Sequence, residues 1–298
     1  MTGMKRREVL AAAAAWAAGA AGFVLPAAVQ AQAPAAAATR RIITVTGAFT
    51  EIVYALGAQG QLVGTDTTSL WPEAARHTAK VGYMRQLSAE GLLSLRPTHV
   101  LGTHEAGPAV VLEQVRSAGV QVELVQADHR FEEVLRKIEV AGRACAREAD
   151  AARLSAQVRE GWQAAQAAVE KRAKLPGARP PRVLFVLAHG GAPQVAGRET
   201  AASAMIAYAG AANALPGFAG YRPLTAEALA SAAPDVVLTT TLALEGAGGE
   251  AGFWANPGWV LTPAGRARRL VALDPLYLLG FGPRMPQAVG ELAGRLAG

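Results

Sequence analysis

One stretch of this chain occurs twice, and the repeat constrains the fold more than any other feature. The first copy reads V-G-Y-M-R-Q-L-S-A-E from Val81 to Glu90, and the second begins G-Y-R-P-L-T-A-E at Gly220. With Met84 treated as a one-residue insertion, the copies pair Gly82 with Gly220, Tyr83 with Tyr221, Arg85 with Arg222, Leu87 with Leu224, Ala89 with Ala226 and Glu90 with Glu227, and continue to Leu101 and Leu238. Copies this far apart indicate two related domains, not a solenoid of short units.

Length and charge exclude several classes of protein. At 298 residues the chain is long enough for two cores of ordinary domain size. The formal net charge is +6, but the Lys and Arg residues are scattered and are not interleaved with aromatic residues, which disfavours nucleic-acid binding. Beyond the N-terminal segment, no stretch offers the ~20 continuous apolar residues that a membrane span needs.

Residues 1–33 are typical of an export signal. Lys5-Arg6-Arg7 gives a positive start, and Val9–Leu25 is an Ala-rich apolar stretch. Pro26 ends this stretch, and small residues follow for cleavage after Ala31 or Ala33. The arginine pair with a weakly hydrophobic segment favours twin-arginine export, with a Sec route as the alternative. An N-terminal membrane anchor is the other interpretation of this segment.

Cys145 is the only cysteine, so an internal disulfide cannot form. It lies far from the signal junction, where a lipid-anchoring cysteine would have to be. Its helical surroundings predict a small core residue. We therefore predict that the mature protein is a soluble monomer of the bacterial periplasm.

Strand and helix patterns alternate along both halves of the chain, which is typical of parallel sheets covered on both faces. Residues 131–174 contain almost no Gly or Pro and predict two helices, interrupted near Gly142 or Glu148. The later helix would be roughly 37 Å long at 1.5 Å per residue. The predicted fold class is α/β, with two Rossmann-like lobes of mainly parallel strands joined by one long rigid helix. The predicted domains are an export signal (1–33), an N-terminal lobe (41–149), a linker helix (150–174) and a C-terminal lobe (180–298).

Each copy of the repeat is predicted to begin a helix. Ser88 and Thr225 are the expected N-caps, because their hydroxyls can accept from a backbone N–H in the first turn. Glu90 and Glu227 then lie in the first turn and should be exposed. Thr50 is predicted to cap the first helix in the same way.

In open α/β sheets, ligands bind beyond the carboxyl ends of the strands. Two lobes that face each other across a stiff helix therefore form a cleft lined by strand-end loops. The sequence contains no G-x-S-x-G, H-E-x-x-H, C-x-x-C or P-loop motif. A secreted protein of this design favours a carrier over an enzyme, and the stiff helix predicts only a small lobe movement when ligand binds.

From Gly82 to Glu90 the chain resembles periplasmic substrate-binding proteins of ABC importers, of the helix-linked type that carries cobalamin, siderophores or haem. The resemblance covers residues 41–298. Three runs are similar to the haem-carrying members: V-G-Y-M-R-Q-L-S-A-E-G, F-T-E-I-V-Y-A-L-G-A from Phe49, and V-A-G-R-E-T-A-A-S-A-M-I from Val195. The resemblance implies a cargo of one ferric haem or two stacked haems. It also implies an inner-membrane ABC permease dimer, with its ATPase subunits, as the partner.

The resemblance implies that Tyr83 is the proximal ligand of the haem iron. Tyrosine is a recognised axial ligand of haem. An isolated Tyr has a pKa near 10, but bound Fe(III) and a nearby cation both favour the phenolate. Arg85 is placed to supply that cation or to bind a haem propionate. The alternative is that Tyr83 lines a loop with its hydroxyl on the backbone.

Further candidates lie in strand-end loops of the second lobe. By the resemblance, His189 is a candidate ligand for the iron of a second, stacked haem. Arg222 resembles the opposing-lobe arginine of the family and would face the haem or a propionate, and Tyr221 would either stack on the porphyrin or pack in the core. His104, in a loop of the first lobe, is a candidate for the cleft mouth. For the two histidines and Arg222, the alternative is an ordinary loop residue.

By the same resemblance, Glu90 and Glu227 dock onto basic residues of the two permease subunits, one from each lobe. The alternative is stabilisation of a helix N-terminus, worth roughly 0.3–1 kcal/mol.

Two other functions of the protein remain open. A ferric-siderophore or corrinoid carrier would not need the pair of Tyr83 and Arg85, and a haem-handling enzyme would need a protonatable distal group that the sequence does not identify.

Overall fold

The computed structural model describes residues 40–188 and 192–297, which belong to one compact unit, Thr39–Gly298. The predicted export signal (1–33) and His189 therefore lie outside the described residues. Within the described ranges, no helix combines the length and the apolar character that crossing a membrane requires.

The N-terminal half forms a four-stranded parallel sheet with helices between its strands. The elements are β1 (Ile42–Thr44), α1 (Gly47–Ala55), β2 (Leu62–Thr65), α2 (Ala89–Ser94), β3 (His99–Thr103), α3 (Ala109–Ser117), β4 (Gln121–Val125) and α4 (Phe131–Cys145). The strand order is β2-β1-β3-β4, with every pair parallel. The central strands β1 and β3 are buried along their whole length, as expected for a parallel sheet covered on both faces.

The C-terminal half begins after α5 (Glu148–Ala173) and contains a second sheet. Its elements are β5 (Arg182–Leu187), β6 (Gln194–Ala196), α6 (Ala201–Tyr208), β7 (Ala212–Asn213), β8 (Tyr221–Pro223), α7 (Ala226–Ala232), β9 (Val236–Thr240), α8 (Thr241–Gly246), α9 (Gly249–Phe253), α10 (Pro263–Ala267), β10 (Leu270–Leu273), α11 (Pro275–Leu279) and α12 (Met285–Ala297).

This second sheet is mixed. The strand order is β10-β9-β5-β6-β8, and β7 pairs with the start of β5. Strands β7, β5, β9 and β10 are parallel, whereas β6 and β8 pair antiparallel at the carboxyl end of β5. The sequence analysis did not predict β6 and β8, because a three-residue strand is too short for a recognisable alternation of apolar and polar residues.

The helical segment between the sheets is interrupted as predicted, at a slightly different place. Helix α4 ends at Cys145, and Ala146 adopts a left-handed conformation (φ 50°) before α5 starts. Cys145 is buried, as expected. With 26 residues, α5 is about 39 Å long. Its Trp162 stacks on Phe131 (ring centroids 4.7 Å apart) and meets Tyr208 edge-on (4.9 Å), so one indole ring contacts both halves of the protein.

Both copies of the repeat adopt the predicted helix start. The Ser88 hydroxyl accepts from the N–H of Gly91 at the start of α2, and the Thr225 hydroxyl accepts from the N–H of Ala228 at the start of α7. The glycines that begin the two copies both have positive φ angles, 101° at Gly82 and 77° at Gly220. The two copies therefore share the conformation of their first glycine and of their helix cap.

The prediction for Thr50 is wrong. Helix α1 begins at Gly47, with Thr46 at the cap position, so Thr50 lies inside the helix. Its buried hydroxyl is 2.6 Å from the hydroxyls of both Thr44 and Ser69. Thr50 therefore ties the helix to β1 and to the loop after β2.

An ion pair connects the two halves beside α5. Arg284 donates from Nε and Nη2 to the two carboxylate oxygens of Glu51, at 2.8 and 3.0 Å. The Glu51 side chain is only 7% exposed. The guanidinium carbon of Arg284 lies 4.6 Å from the ring centroid of Trp71 and 5.0 Å from that of Tyr277, so the cation is also held between two aromatic rings.

A second cross-connection is more deeply buried. The Lys137 ammonium group lies 2.5 Å from a Glu133 carboxylate oxygen, and both side chains are at most 3% exposed. It also donates to the carbonyl oxygens of Gly280 and Phe281 in the other half, both at 3.2 Å. Burial lowers the pKa of Lys137, and the negative charges of Glu133 and Glu105 oppose that shift.

We predict that Arg284→Ala destabilises the protein by about 3 kcal/mol, because it leaves the buried Glu51 carboxylate without a partner. Arg295→Ala is the matched control: its pair with Glu291 is exposed, and its loss should cost no more than about 1 kcal/mol. Chemical denaturation of both variants gives the two free energies of unfolding. Equal costs would mean that the pair of Glu51 and Arg284 does not hold the halves together.

Candidate ligand site between the two halves

The loop that carries Tyr83 and Arg85 follows β2 and runs along the carboxyl ends of the first sheet. Val81, Met84 and Leu87 are buried, whereas Tyr83 and Arg85 are exposed. The buried residues anchor the loop in the core, and the two polar side chains between them therefore face outward.

This loop is hydrogen-bonded to the loop that follows β3. The N–H of Leu87 donates to the carbonyl of Gly107, and the N–H of Gly107 donates to the carbonyl of Met84, both at 2.9 Å. The two strand-end loops therefore hold a fixed spacing, and Glu105 in the second loop lies next to Arg85 in the first.

Tyr83, Arg85 and Glu105 form a chain of hydrogen bonds. Arg85 Nη1 donates to the Tyr83 hydroxyl oxygen at 2.7 Å, and Arg85 Nη2 donates to Glu105 Oε1 at 2.9 Å. Partial burial alone would lower the pKa of Arg85, but the bonds to Tyr83 and Glu105 outweigh burial and raise it. Glu105 was not predicted as a site residue, although its position two residues after the buried strand β3 was a usable signal.

Tyr221 lies in the other half, on β8, within electrostatic reach of this cluster. Burial and the Glu105 carboxylate raise the pKa of Tyr221, and the Arg85 cation opposes that shift. Tyr83 and Tyr221 are each 38% exposed. The two repeat-related tyrosines therefore both keep part of their ring open to solvent, and charges of the first half act on the phenol of the second.

Arg222 contacts an aromatic ring of its own half. The guanidinium carbon of Arg222 lies 4.5 Å from the ring centroid of Phe218. Arg222 is paired with Val195 across the antiparallel strands β6 and β8. The Phe218 ring in turn lies against Gly197, where a Cβ atom would come within 2.5 Å of the ring. Phe218 thus needs a glycine at 197 to provide the surface on which Arg222 rests.

The two histidine candidates have different outcomes. His104 is exposed, and its Nδ1 accepts from the N–H of Ala127, while Nε2 is 3.5 Å from Gln126 Nε2. His104 therefore joins the loops after β3 and β4. His189 lies outside the described residues, so its predicted role as a second iron ligand stays a prediction.

Glu90 and Glu227 are both exposed in the first turn of their helices, α2 and α7. The backbone N–H of Glu227 and the hydroxyl of Thr225 lower the pKa of Glu227, which therefore keeps its charge at neutral pH. These positions suit either stabilisation of the helix N-terminus or an external contact.

The site around Tyr83 is an open surface, since both tyrosines are partly exposed. Two cavities lie elsewhere, one of about 780 Å³ between the end of α5 and the amino ends of the second sheet, and one of about 390 Å³ beside Glu51 and Trp71. Residues 40–188 and 192–297 contain no group of three or more His, Cys, Asp or Glu side chains suited to binding a bare metal ion.

We predict that Tyr221 ionises at higher pH than an ordinary tyrosine, because burial and the Glu105 carboxylate favour its neutral form. Tyrosinate absorbance can be followed during alkaline titration of the wild type and of Tyr221→Phe. The difference between the two curves should rise above pH 10. A difference curve centred below pH 10 would contradict the assignment.

A solved structure resembles this chain along most of its length. The periplasmic heme-binding protein BhuT in complex with two hemes is 51% identical and covers 87% of this chain and 98% of its own, with a TM-score of 0.82.

Two curated relatives add sequence evidence. The uncharacterized ABC transporter substrate-binding lipoprotein YvrC of Bacillus subtilis (strain 168) is 28% identical over 257 residues, which is 85% of this chain and 79% of the relative. The vitamin B12-binding protein of Vibrio vulnificus (strain YJ016) is 31% identical over 87 residues, 29% of this chain and 32% of the relative. The periplasmic binding protein family model matches residues 42–277, with both sheets and the connecting helix inside the match. The chain therefore belongs to the periplasmic binding protein family.

Proposed function

We propose that this protein binds ferric haem in the periplasm and delivers it to an ABC permease of the inner membrane. The observation that carries the proposal is the Tyr83 hydroxyl, which accepts a 2.7 Å hydrogen bond from Arg85 at the edge of an open surface. The similarity to a protein of known structure that binds two hemes supports the same cargo.

The chemistry of this pair suits ferric iron. Because Arg85 donates to Tyr83, the phenol oxygen is the acceptor, and its own proton is free to leave when iron approaches. Tyr83 would release that proton to solvent and supply a phenolate oxygen to Fe(III), while Arg85 would hold the same oxygen by its hydrogen bond. A charge-assisted hydrogen bond of this kind stabilises the ionised form of the ligand.

The second half supplies groups of a different kind. An ordinary tyrosine is already neutral at physiological pH, and burial and Glu105 raise the pKa of Tyr221 further, so Tyr221 offers a neutral ring and a hydroxyl to the flat porphyrin. Arg222 rests on the Phe218 ring and has a guanidinium available for a propionate. Iron ligation and carboxylate binding are thus assigned to opposite halves.

A second haem is part of the proposal. The structure of BhuT is a complex with two hemes, and this chain is 51% identical to it. Tyr83 would bind the first iron, and His189 remains our candidate ligand for the second. The proposal does not require lobe closure, because the contacts of Glu51 and Lys137 hold the two halves together.

We predict that Tyr83→Phe weakens hemin binding at least about tenfold and removes the phenolate-to-iron charge-transfer absorption, because the axial oxygen is lost. Tyr54→Phe, a half-buried tyrosine of α1, is the matched control and should bind like the wild type. The measurement is an absorbance titration with hemin, read in the Soret and charge-transfer regions.

Unchanged hemin binding in Tyr83→Phe would contradict the iron-ligand assignment. If the wild type does not bind hemin but binds a ferric siderophore or a corrinoid, haem is the wrong cargo and the family assignment stands. Turnover of added hemin would favour the remaining alternative, a haem-handling enzyme.

Docking to the permease gives a separate prediction. Glu90→Lys and Glu227→Lys should each bind hemin normally but lower the stimulation of permease ATPase activity at least about tenfold, because each replaces an attraction by a repulsion. Glu160→Lys, an exposed residue of α5, is the control with the same charge change. If Glu90→Lys and Glu227→Lys both stimulate the permease ATPase as well as the wild type does, the docking role is wrong and the two glutamates only stabilise their helices.

A further inference from the structure

The ion pair of Glu105 and Arg85 contributes little to the stability of the fold. The Arg85 side chain is 49% exposed and that of Glu105 is 38% exposed, so their attraction is screened by water and adds little to the free energy of folding. Arg85 nevertheless donates to Glu105 with good hydrogen-bond geometry, and its other terminal nitrogen donates to the Tyr83 hydroxyl. The effect of the pair is therefore expected at the Tyr83 hydroxyl and not on folding.

We propose that Glu105 is a positioning residue for haem ligation: it holds the Arg85 guanidinium in the one orientation that donates to the Tyr83 oxygen. This inference rests on the proposed function and assigns a role to a residue that does not itself touch the iron. Glu105 acts on the phenolate through Arg85.

The backbone explains why Glu105 can do this. Its loop and the loop of Arg85 are joined by the two hydrogen bonds between Gly107 and the residues Met84 and Leu87. The carboxylate therefore approaches Arg85 from a fixed direction. A half-exposed arginine without such an acceptor would populate many rotamers, and only some of them reach the phenol.

Glu105 also has a defined electrostatic neighbourhood. Arg85 is its cationic partner, Tyr221 on β8 lies within reach of its charge, and so does the buried Lys137 on α4. The Glu105 carboxylate raises the pKa of Tyr221 and the Arg85 cation lowers it, so the two charges of the pair act on the phenol of the second half with opposite signs.

The test is a double-mutant cycle on Glu105 and Arg85 in the full mature protein. We expect Glu105→Ala to weaken hemin binding about tenfold, the lower end of the effect of removing a residue that orients a ligand. The phenolate-to-iron charge-transfer band should also shift in wavelength, because the Tyr83 oxygen loses the hydrogen bond that a fixed Arg85 donates to it. Glu105→Gln keeps an acceptor for Arg85 and should recover most of both properties.

The decisive comparison uses the Arg85→Ala background. Since Glu105 acts through Arg85, adding Glu105→Ala to Arg85→Ala should change neither the hemin affinity nor the wavelength of the charge-transfer band. Additive effects, or a Gln variant as weak as the Ala variant, would overturn the proposal. Glu113→Ala, which removes another exposed glutamate paired with an arginine, is the control and should match the wild type.

Failure of this inference is distinguishable from failure of the proposed function. If Tyr83→Phe keeps the charge-transfer band, Tyr83 is not the ligand, and both proposals are wrong. If Tyr83→Phe loses the band while Glu105→Ala behaves like the wild type, Tyr83 still binds the iron and only the role of Glu105 is overturned.

Discussion

The charged side chains that connect the two halves are the constraint on which the rest of the structure depends. Glu51 is bonded to Arg284, and Lys137 is bonded both to Glu133 and to backbone carbonyls of the other half. Such pairs add little net stability compared with apolar packing, but breaking one leaves an unpaired buried charge. Their geometry therefore fixes how the halves meet, and with it the distance between the loops that carry Tyr83 and Tyr221.

The two copies of the repeat form similar surfaces with different chemistry. Tyr83 and Tyr221 occupy related positions and are equally exposed. In the first half the following arginine is directed by a carboxylate toward the phenol, whereas in the second half Arg222 stacks on Phe218. One missing residue in the second copy and its pairing as a β-strand account for this difference, because successive side chains of a strand, here Tyr221 and Arg222, point to opposite faces.

Local signals predicted much of the fold. Ser88 and Thr225 cap their helices as expected, and the β-branched and apolar run at Arg182–Leu187 forms the predicted strand. Thr50 was wrong as a cap, because Thr46 occupies that position and Thr50 makes buried contacts that no local pattern reveals. The short strands β6 and β8 were missed for the same reason, since they exist only by pairing with β5 and with each other.

The sequence by itself indicated the α/β class, the connecting helix and the repeated segment, because periodicity, caps and a repeated motif depend on neighbours along the chain. The choice of Tyr83 and Arg85 as candidates came from the resemblance of Gly82–Glu90 to haem-carrying members of the family. Only the tertiary structure decided that Glu105 is bonded to Arg85, that Tyr221 lies within reach of both charges, and that Glu51 is paired across the halves. The physical reason is that hydrogen bonds and charges act through space, and the partners of these groups lie on other elements of the fold.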